Sequence, residues 1–279
     1  MTYLEVNGLS LGYVEHAAGQ GADGAAGEAP PLILLHGGLC TGDMFGPILP
    51  ALTGNRRVIT VDLQAHGRTA DVESRPLRFE TMADDIAALI KGLGLEQADV
   101  MGYSVGGGVA QRTAIQHPRL VRRLVSVSFP CHHEAWFPEV RAGMRSNLDP
   151  AVAELMKQSP LYASYARVAP RVEDWPKLVA KNGAMVCGEY DWRPEIGGVT
   201  APTLLAFADA DSIRPAHMAE FYGLLGGGRR DAGWEGSGLP PRSPSQLAIL
   251  PGRTHYDVFT APALLDAVDA FLRQPPESA

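Results

Sequence analysis

A Gly-x-Ser-x-Gly pentapeptide centred on Ser104 is the feature of this sequence that most constrains its fold. A short apolar run, 98–101, precedes it and a helical pattern, 105–117, follows it, so the serine is predicted at a sharp strand-to-helix turn. Such a turn strains its central residue and leaves no room for a side chain at either glycine. The serine hydroxyl is then held outward, and the backbone N–H of Val105 faces the same space. The pentapeptide alone is weak evidence, but this context favours acyl transfer.

Strand and helix patterns alternate along most of the chain. The segments 2–6 and 9–15, joined by Asn7-Gly8, predict a β-hairpin, because this pair tolerates the positive φ angles of a tight turn. A Gly- and Ala-rich loop is predicted over 19–31, and a helix over 81–93. The apolar runs predicted as buried strands are 32–39, 57–63, 98–101, 124–128, 202–207 and 246–250. This alternation predicts a doubly wound parallel sheet.

In this setting the pentapeptide resembles the nucleophile elbow of the α/β-hydrolase fold family, in its serine carboxylesterase-like branch. Further landmarks of that family follow in the same order, and the resemblance covers residues 32–272. It implies a mostly parallel eight-stranded sheet with an inserted helical cap. The implied core domain is residues 1–130 and 198–279, and the implied cap, or lid, is residues 131–197.

The resemblance also implies the catalytic residues. Ser104, Asp211 and His255 would form a Ser-His-Asp triad, in the family's chain order of serine, acid and histidine. Asp209 is the close competitor for the acid. The oxyanion hole would take its two N–H groups from Val105 and from Gly38, or from Leu39 if the loop is offset by one residue.

Other histidines near these landmarks have structural interpretations. His36 precedes the two glycines and is expected to anchor their loop by hydrogen bonds, whereas His66 follows another strand and is assigned to loop structure. The pair His132-His133 remains unassigned, because adjacent side chains point apart.

The alternation stops from about residue 130 for some 65 residues, which are rich in proline and aromatic residues. A cap would exclude water and provide an apolar wall for a substrate. Most of its aromatic side chains are expected to form the cap's own core. The residues predicted to contact substrate are Leu39, Trp136, Phe137 and Tyr256.

Composition restricts the partners and the location. The net charge of −7, without runs of like charge, argues against a nucleic-acid or anionic-membrane surface and favours a small apolar ester as substrate. The N-terminus does not resemble a signal peptide and no long apolar segment is present, so a cytoplasmic location is expected. The Ala and Gly content suggests a bacterial source. Three scattered cysteines are interpreted as free thiols, and no metal or organic cofactor is expected. The long segment 229–244 is either a surface excursion or a subunit contact, so a homodimer is left open.

The leading hypothesis is a serine esterase that cleaves carboxylic esters of small to medium acyl groups through an acyl-enzyme. A serine nucleophile disfavours epoxide hydrolases and haloalkane dehalogenases, which resemble this fold but use a carboxylate. One alternative is a hydrolase of carbon-carbon bonds in ring-cleavage diketones, whose longer His-Gly-Gly-Gly-Pro loop this chain lacks. Another is a non-catalytic receptor for a small ligand.

Overall fold

The computed structural model describes residues 2–19, 29–146, 148–231, 233 and 243–274. Its centre is one sheet of eight strands in the order β1-β2-β4-β3-β5-β6-β7-β8. The N-terminal hairpin adds antiparallel strands at one edge, and the other pairs are parallel, as the sequence predicts. The strands are β1 (Thr2–Val6), β2 (Leu9–His16), β3 (Ala29–Leu35), β4 (Arg56–Val61), β5 (Ala98–Tyr103), β6 (Val121–Val127), β7 (Thr203–Ala210) and β8 (Gln246–Thr254).

Helices cover both faces of the sheet, which explains why the central strands are apolar throughout rather than alternating. One face packs against α2 and α3 around Phe79 and Phe129, and the other packs against α1 and α10 around Phe45 and Phe271. The α-helices are α1 (Leu49–Leu52), α2 (Phe79–Gly92), α3 (Val105–Gln116), α4 (Pro138–Ser146), α5 (Pro150–Leu155), α6 (Pro160–Val168), α7 (Trp175–Cys187), α8 (Arg193–Ile196), α9 (Pro215–Leu224) and α10 (Pro262–Leu272). No helix among the described residues is long and apolar enough to cross a membrane.

Helices α4 to α8 lie between β6 and β7, in the stretch where the strand pattern stops. They have a small core of their own: the rings of Tyr162 and Tyr165 each lie 5.3 Å from the ring of the fully buried Trp175. Trp136, Tyr190 and Trp192 pack instead with the rings of Phe79, on α2, and Phe129, which follows β6. The prediction that most aromatic residues of this segment form its own core is therefore wrong, because three of them form that core and three pack against Phe79 and Phe129.

Several predicted boundaries are wrong, most clearly at β3 and β8. β3 begins at Ala29, within the predicted loop, and β8 continues to Thr254 through a proline at position 251. Proline is tolerated there because β8 is an edge strand whose register with β7 shifts between residues 250 and 254. Most of the predicted 19–31 loop and of the 229–244 segment lies outside the described residues, as does the tail after residue 274.

Candidate active site

The turn at Ser104 has the strained geometry that its sequence predicts. Ser104 has φ 50° and ψ −123°, which is rare for a residue with a side chain. A Cβ on Gly102 would overlap the backbone of Gly106, and a Cβ on Gly106 would overlap the carbonyl of Leu35. The two glycines are therefore required by close backbone packing, which fixes the serine between β5 and α3.

Three predicted residues lie in one hydrogen-bonded chain. His255 Nε2 lies 3.2 Å from Ser104 Oγ, and His255 Nδ1 lies 2.9 Å from Asp211 Oδ1. The Tyr103 hydroxyl donates to the His255 carbonyl at 2.7 Å, so the residue before the serine also fixes the histidine loop. The structure thus brings together side chains separated by up to 151 positions in sequence.

The Asp211 carboxylate is held by donors besides His255. Oδ1 accepts the N–H of Ser212 at 2.7 Å, and Oδ2 accepts the Ser128 hydroxyl at 2.6 Å and the N–H of Ala208 at 3.1 Å. Asp209 instead is exposed and accepts the N–H of Arg253 at 3.1 Å. Of the two candidate acids, the structure therefore places Asp211 against the histidine.

Sequence reasoning missed Ser128. It is fully buried after β6, has φ 51°, and donates to the oxygen of Asp211 that faces away from His255. A serine at the end of a buried strand is an ordinary sequence feature, so only its position at the same sheet edge as the acid loop would have indicated this contact.

The loop after β3 is organised by His36. Its Nδ1–H donates to the Gly37 carbonyl at 2.8 Å, and its Nε2 accepts the N–H of Leu63 at 3.0 Å. Burial lowers the pKa of His36, so the imidazole is neutral and structural. Leu39 follows with φ 61°. Burial likewise lowers the pKa of His66 to about 3, and its Nδ1–H donates to the Gln64 carbonyl at 2.8 Å.

The backbone N–H groups of Gly38 and Val105 have no acceptor among the described residues. These two residues are in contact range, because a Cβ on Gly38 would lie 3.0 Å from Val105 Cγ2. Unpaired N–H groups at a buried turn are uncommon. Their position beside Ser104 is suited to an oxygen that gains negative charge.

The four residues predicted to contact substrate have different environments. Leu39 and Trp136 are buried, and the Trp136 ring lies 5.6 Å from the His255 ring while its Nε1–H donates to the Tyr190 hydroxyl at 2.9 Å. Phe137 is half-buried, and its N–H donates to the Ser212 carbonyl at 3.1 Å. Tyr256 lies edge-on to His255 at 5.4 Å but is 76% exposed.

Asn182, on α7, is a second residue that sequence reasoning missed. Its carboxamide lies directly over the Gly38 loop, with Oδ1 2.8 Å from the position that a Gly38 Cβ would occupy. The side chain is buried, and Oδ1 has no hydrogen-bond partner among the described residues. An asparagine within the apolar stripe of a helix was the available sequence signal.

One group in the described part of the chain has donor atoms close enough to hold a metal ion: His132, His217 and Glu220. Its hydrogen bonds fit a different role, because His217 Nε2 lies 3.3 Å from the Cys131 N–H that donates to it. That contact leaves the proton on Nδ1, which donates to Glu220 at 3.0 Å. A metal on Nδ1 would require the opposite tautomer, so these residues fit a hydrogen-bonded cluster that joins the start of the insertion to α9.

A doubly wound sheet with a serine at a strained turn after β5, hydrogen-bonded to a histidine after the last strand, defines an α/β-hydrolase. Comparison with known proteins agrees. The sequence profile of the family described as alpha/beta hydrolase fold matches residues 30–160. The chain has the α/β-hydrolase fold.

Several individual relatives are named as hydrolases. The chain is 29% identical over 207 residues to a pimeloyl-[acyl-carrier protein] methyl ester esterase of Aeromonas hydrophila subsp. hydrophila, covering 68% of this chain and 80% of the relative. It is 34% identical over 113 residues to a 2-hydroxymuconate semialdehyde hydrolase of Pseudomonas sp. (strain CF600), covering 38% of this chain and 40% of the relative. The enol-lactonase of Burkholderia xenovorans LB400 superposes with a TM-score of 0.69 at 23% identity, covering 98% of this chain and 100% of that one, which shows the shared fold.

Proposed function

We propose that the protein is a serine esterase that cleaves carboxylic esters of small to medium acyl groups through an acyl-enzyme on Ser104. The observation that carries the proposal is the hydrogen-bonded chain from Ser104 through His255 to Asp211, with distances of 3.2 Å and 2.9 Å. Both distances are close to those that proton transfer needs, and the hydroxyl lies beside two N–H groups for which the described residues provide no acceptor.

In the first half-reaction Ser104 Oγ attacks the ester carbonyl while His255 Nε2 takes the hydroxyl proton. Asp211 keeps the other imidazole proton on Nδ1 and stabilises the charged ring. The N–H groups of Gly38 and Val105 donate to the oxygen that becomes negative. The tetrahedral adduct then breaks at the carbon-oxygen bond of the alcohol, which leaves with the proton from His255.

Deacylation repeats these steps with water in place of the serine. His255 takes a proton from water as the water oxygen attacks the acyl carbon, and it returns that proton to Ser104 Oγ when the acid is released. Every proton that moves is exchanged among substrate, water and the residues of the chain.

We further propose that residues 131–197 act as a cap over this site, on a core of residues 1–130 and 198–279. Two contacts support the assignment: the Trp136 ring lies 5.6 Å from the His255 ring, and Asn182 lies over Gly38. The segment is also tied to the core by Lys181, whose ammonium lies 2.7 Å from Asp71 Oδ2. A cap in this position would limit the length of the acyl group and exclude water.

The test is hydrolysis of p-nitrophenyl esters of two to eight acyl carbons at neutral pH, by the wild type, by Ser104→Ala and by Ser146→Ala, a substitution at an exposed serine of α4. We expect turnover by the wild type and by Ser146→Ala, and none above background by Ser104→Ala. Mass spectrometry of the wild type with a slowly deacylating ester should show one added acyl group on the peptide that contains Ser104. Equal activity of Ser104→Ala and wild type would refute the proposal.

A carbon-carbon bond hydrolase is the second candidate, because one relative with 34% identity over 113 residues is a 2-hydroxymuconate semialdehyde hydrolase. The same serine, histidine and oxyanion donors could serve that reaction. Loss of the absorbance of a ring-cleavage diketone, with no turnover of any p-nitrophenyl ester, would favour this candidate over the esterase.

A further inference from the structure

Asn182 is a buried polar residue whose hydrogen-bonding groups have no partner in the described part of the chain. Asn182 is 5% exposed, its Oδ1 is buried without a donor, and neither Oδ1 nor Nδ2 forms a hydrogen bond with any described residue. Leaving such a group unpaired costs about 1–3 kcal/mol, so each instance requires an explanation.

The position of Asn182 on α7 shows that a packing role does not explain it. The buried residues of this helix form a stripe at the spacing of one face, and Asn182 occupies its middle. An aliphatic residue of similar volume would fill the same space without an unsatisfied amide. The apolar members of the stripe are Trp175, Leu178, Val179, Met185 and Val186.

The helix is held in a fixed rotation over the site by the preceding residue. The Lys181 ammonium lies 2.7 Å from Asp71 Oδ2 and 3.0, 3.2 and 3.0 Å from the carbonyl oxygens of Val72, Glu73 and Arg75, so its three N–H groups are shared among four acceptors. These four acceptors belong to the core, so they fix which face of α7 meets the Gly38 loop. The carboxamide of Asn182 is therefore presented to that loop by a rigid support.

The carboxamide is close to an oxyanion donor but does not bind it. Oδ1 and Nδ2 lie 2.8 Å and 3.2 Å from the position of a Cβ on Gly38, yet the Gly38 N–H has no acceptor among the described residues. A carbonyl oxygen bound by the Gly38 N–H would therefore place the adjoining carbon of the acyl group near Asn182. A hydrogen-bonding substituent on that carbon could then reach Oδ1 or Nδ2.

We infer that Asn182 determines specificity for esters whose acyl group has a hydroxyl or amide N–H on the carbon next to the scissile carbonyl. This inference rests on the proposed function. The hydroxyl or N–H donates to Oδ1, Nδ2 donates to an acceptor on the same substituent, and no charge is involved. A site that hydrogen-bonds such a group discriminates against the analogue that lacks it, because the amide is then left unpaired.

The test compares methyl 2-hydroxybutyrate with methyl butyrate, which differ only in the hydroxyl group, by titration of released acid at constant pH. The wild type should have the higher kcat/KM with the hydroxy ester. Asn182→Leu should lower the ratio of the two kcat/KM values by about 2- to 12-fold, the range expected for one neutral hydrogen bond. Met185→Leu, one turn along the same buried stripe, should leave the ratio unchanged.

Thermal unfolding separates this role from a structural one. Asn182→Leu removes an unpaired buried amide, so its Tm should equal or exceed that of the wild type. A lower Tm, together with equal loss on both esters, would show that the residue only supports the cap. An unchanged ratio would also overturn the inference.

Binding distinguishes failure of this inference from failure of the proposed function. In the Ser104→Ala background, calorimetric titration with the two intact esters should show tighter binding of the hydroxy ester, and adding Asn182→Leu should remove that preference. If the wild type hydrolyses neither ester but this preference is present, the esterase proposal is wrong and the role of Asn182 stands. If the preference is absent, the inference fails whatever the activity.

Discussion

Replacing Asp211 by asparagine tests how the acid acts, because the structure determines how the new amide would orient. One carboxylate oxygen faces His255 and the Ser212 N–H at 2.7 Å, and the other faces the Ser128 hydroxyl and the Ala208 N–H at 3.1 Å. An NH₂ group on the first side would oppose the closer N–H. On the second side the NH₂ group would oppose only the more distant N–H, that of Ala208, because the Ser128 hydroxyl can rotate and accept a hydrogen bond from it.

We therefore expect Asp211→Asn to keep its oxygen toward His255 and to preserve the imidazole tautomer. What is lost is the negative charge that stabilises the imidazolium in the transition state. For two charges about 4 Å apart at an effective dielectric constant of about 20, that attraction is about 4 kcal/mol, or about a thousandfold in kcat. A wrong tautomer would lower kcat by about tenfold more, to about ten-thousandfold in all, as in the corresponding substitution of a serine protease.

The matched control is Asp209→Asn, two residues away. Asp209 is exposed, and backbone N–H groups of Gly252 and Arg253 lower its pKa by hydrogen bonding to the charged form. Asparagine keeps an acceptor for those groups, so kcat should stay within about threefold of the wild type. Steady-state hydrolysis of p-nitrophenyl acetate by the three proteins, each shown to be folded by circular dichroism, makes the comparison. Equal losses at positions 209 and 211 would refute the choice of acid.

Three further substitutions test other parts of the structure. Ser128→Ala removes a 2.6 Å donor to the acid and should lower kcat about tenfold with little change in KM, measured with the same ester. Gly106→Ala should lower the free energy of unfolding in urea by at least about 3 kcal/mol, because its Cβ meets backbone atoms; Gly223→Ala, in open space on α9, should not lower it. Burial lowers the pKa of His217 to about 4, partly offset by its bond to Glu220, so the unfolded chain binds the extra proton first. The neutral His217 therefore stabilises the fold fully above about pH 6.5, and this contribution, on the order of 3 kcal/mol, is lost as the pH falls toward 4. In urea titrations at pH 7.5 and pH 5, the free energy of unfolding of His217→Gln should decrease less between the two pH values than that of the wild type.

The sequence correctly predicted those parts of the structure that depend on local backbone chemistry. The glycines beside Ser104 are required by the backbone of the turn itself, and apolar runs marked the buried strands. The alternation of strands and helices then determined the layers. Boundaries were less accurate, as at β8, because a proline is compatible with an edge strand and the sequence does not show which strand lies at the edge.

Contacts between distant segments could not be predicted in the same way. Ser128 and Asp211 are 83 positions apart, and their hydrogen bond depends on the ends of β6 and β7 meeting at one sheet edge. Asn182 depends on the rotation of α7, which Lys181 fixes through a loop about a hundred residues earlier. In both cases the local sequence pattern is ordinary, and the role of the residue becomes visible only from its position in the tertiary structure.

The distribution of hydrogen-bonding groups without partners helps to decide whether the site converts a substrate or only binds a ligand. The carboxylate of Asp211 is fully paired, while the N–H groups of Gly38 and Val105 and the carboxamide of Asn182 have no partner among the described residues. A receptor could use the carboxamide alone. It would have no need to hold Ser104 at φ 50°, at a cost of about 1–3 kcal/mol, with its hydroxyl next to a histidine nitrogen and two N–H donors. That strain is accounted for when the serine is a nucleophile, which is why the esterase is preferred to a receptor on the same fold.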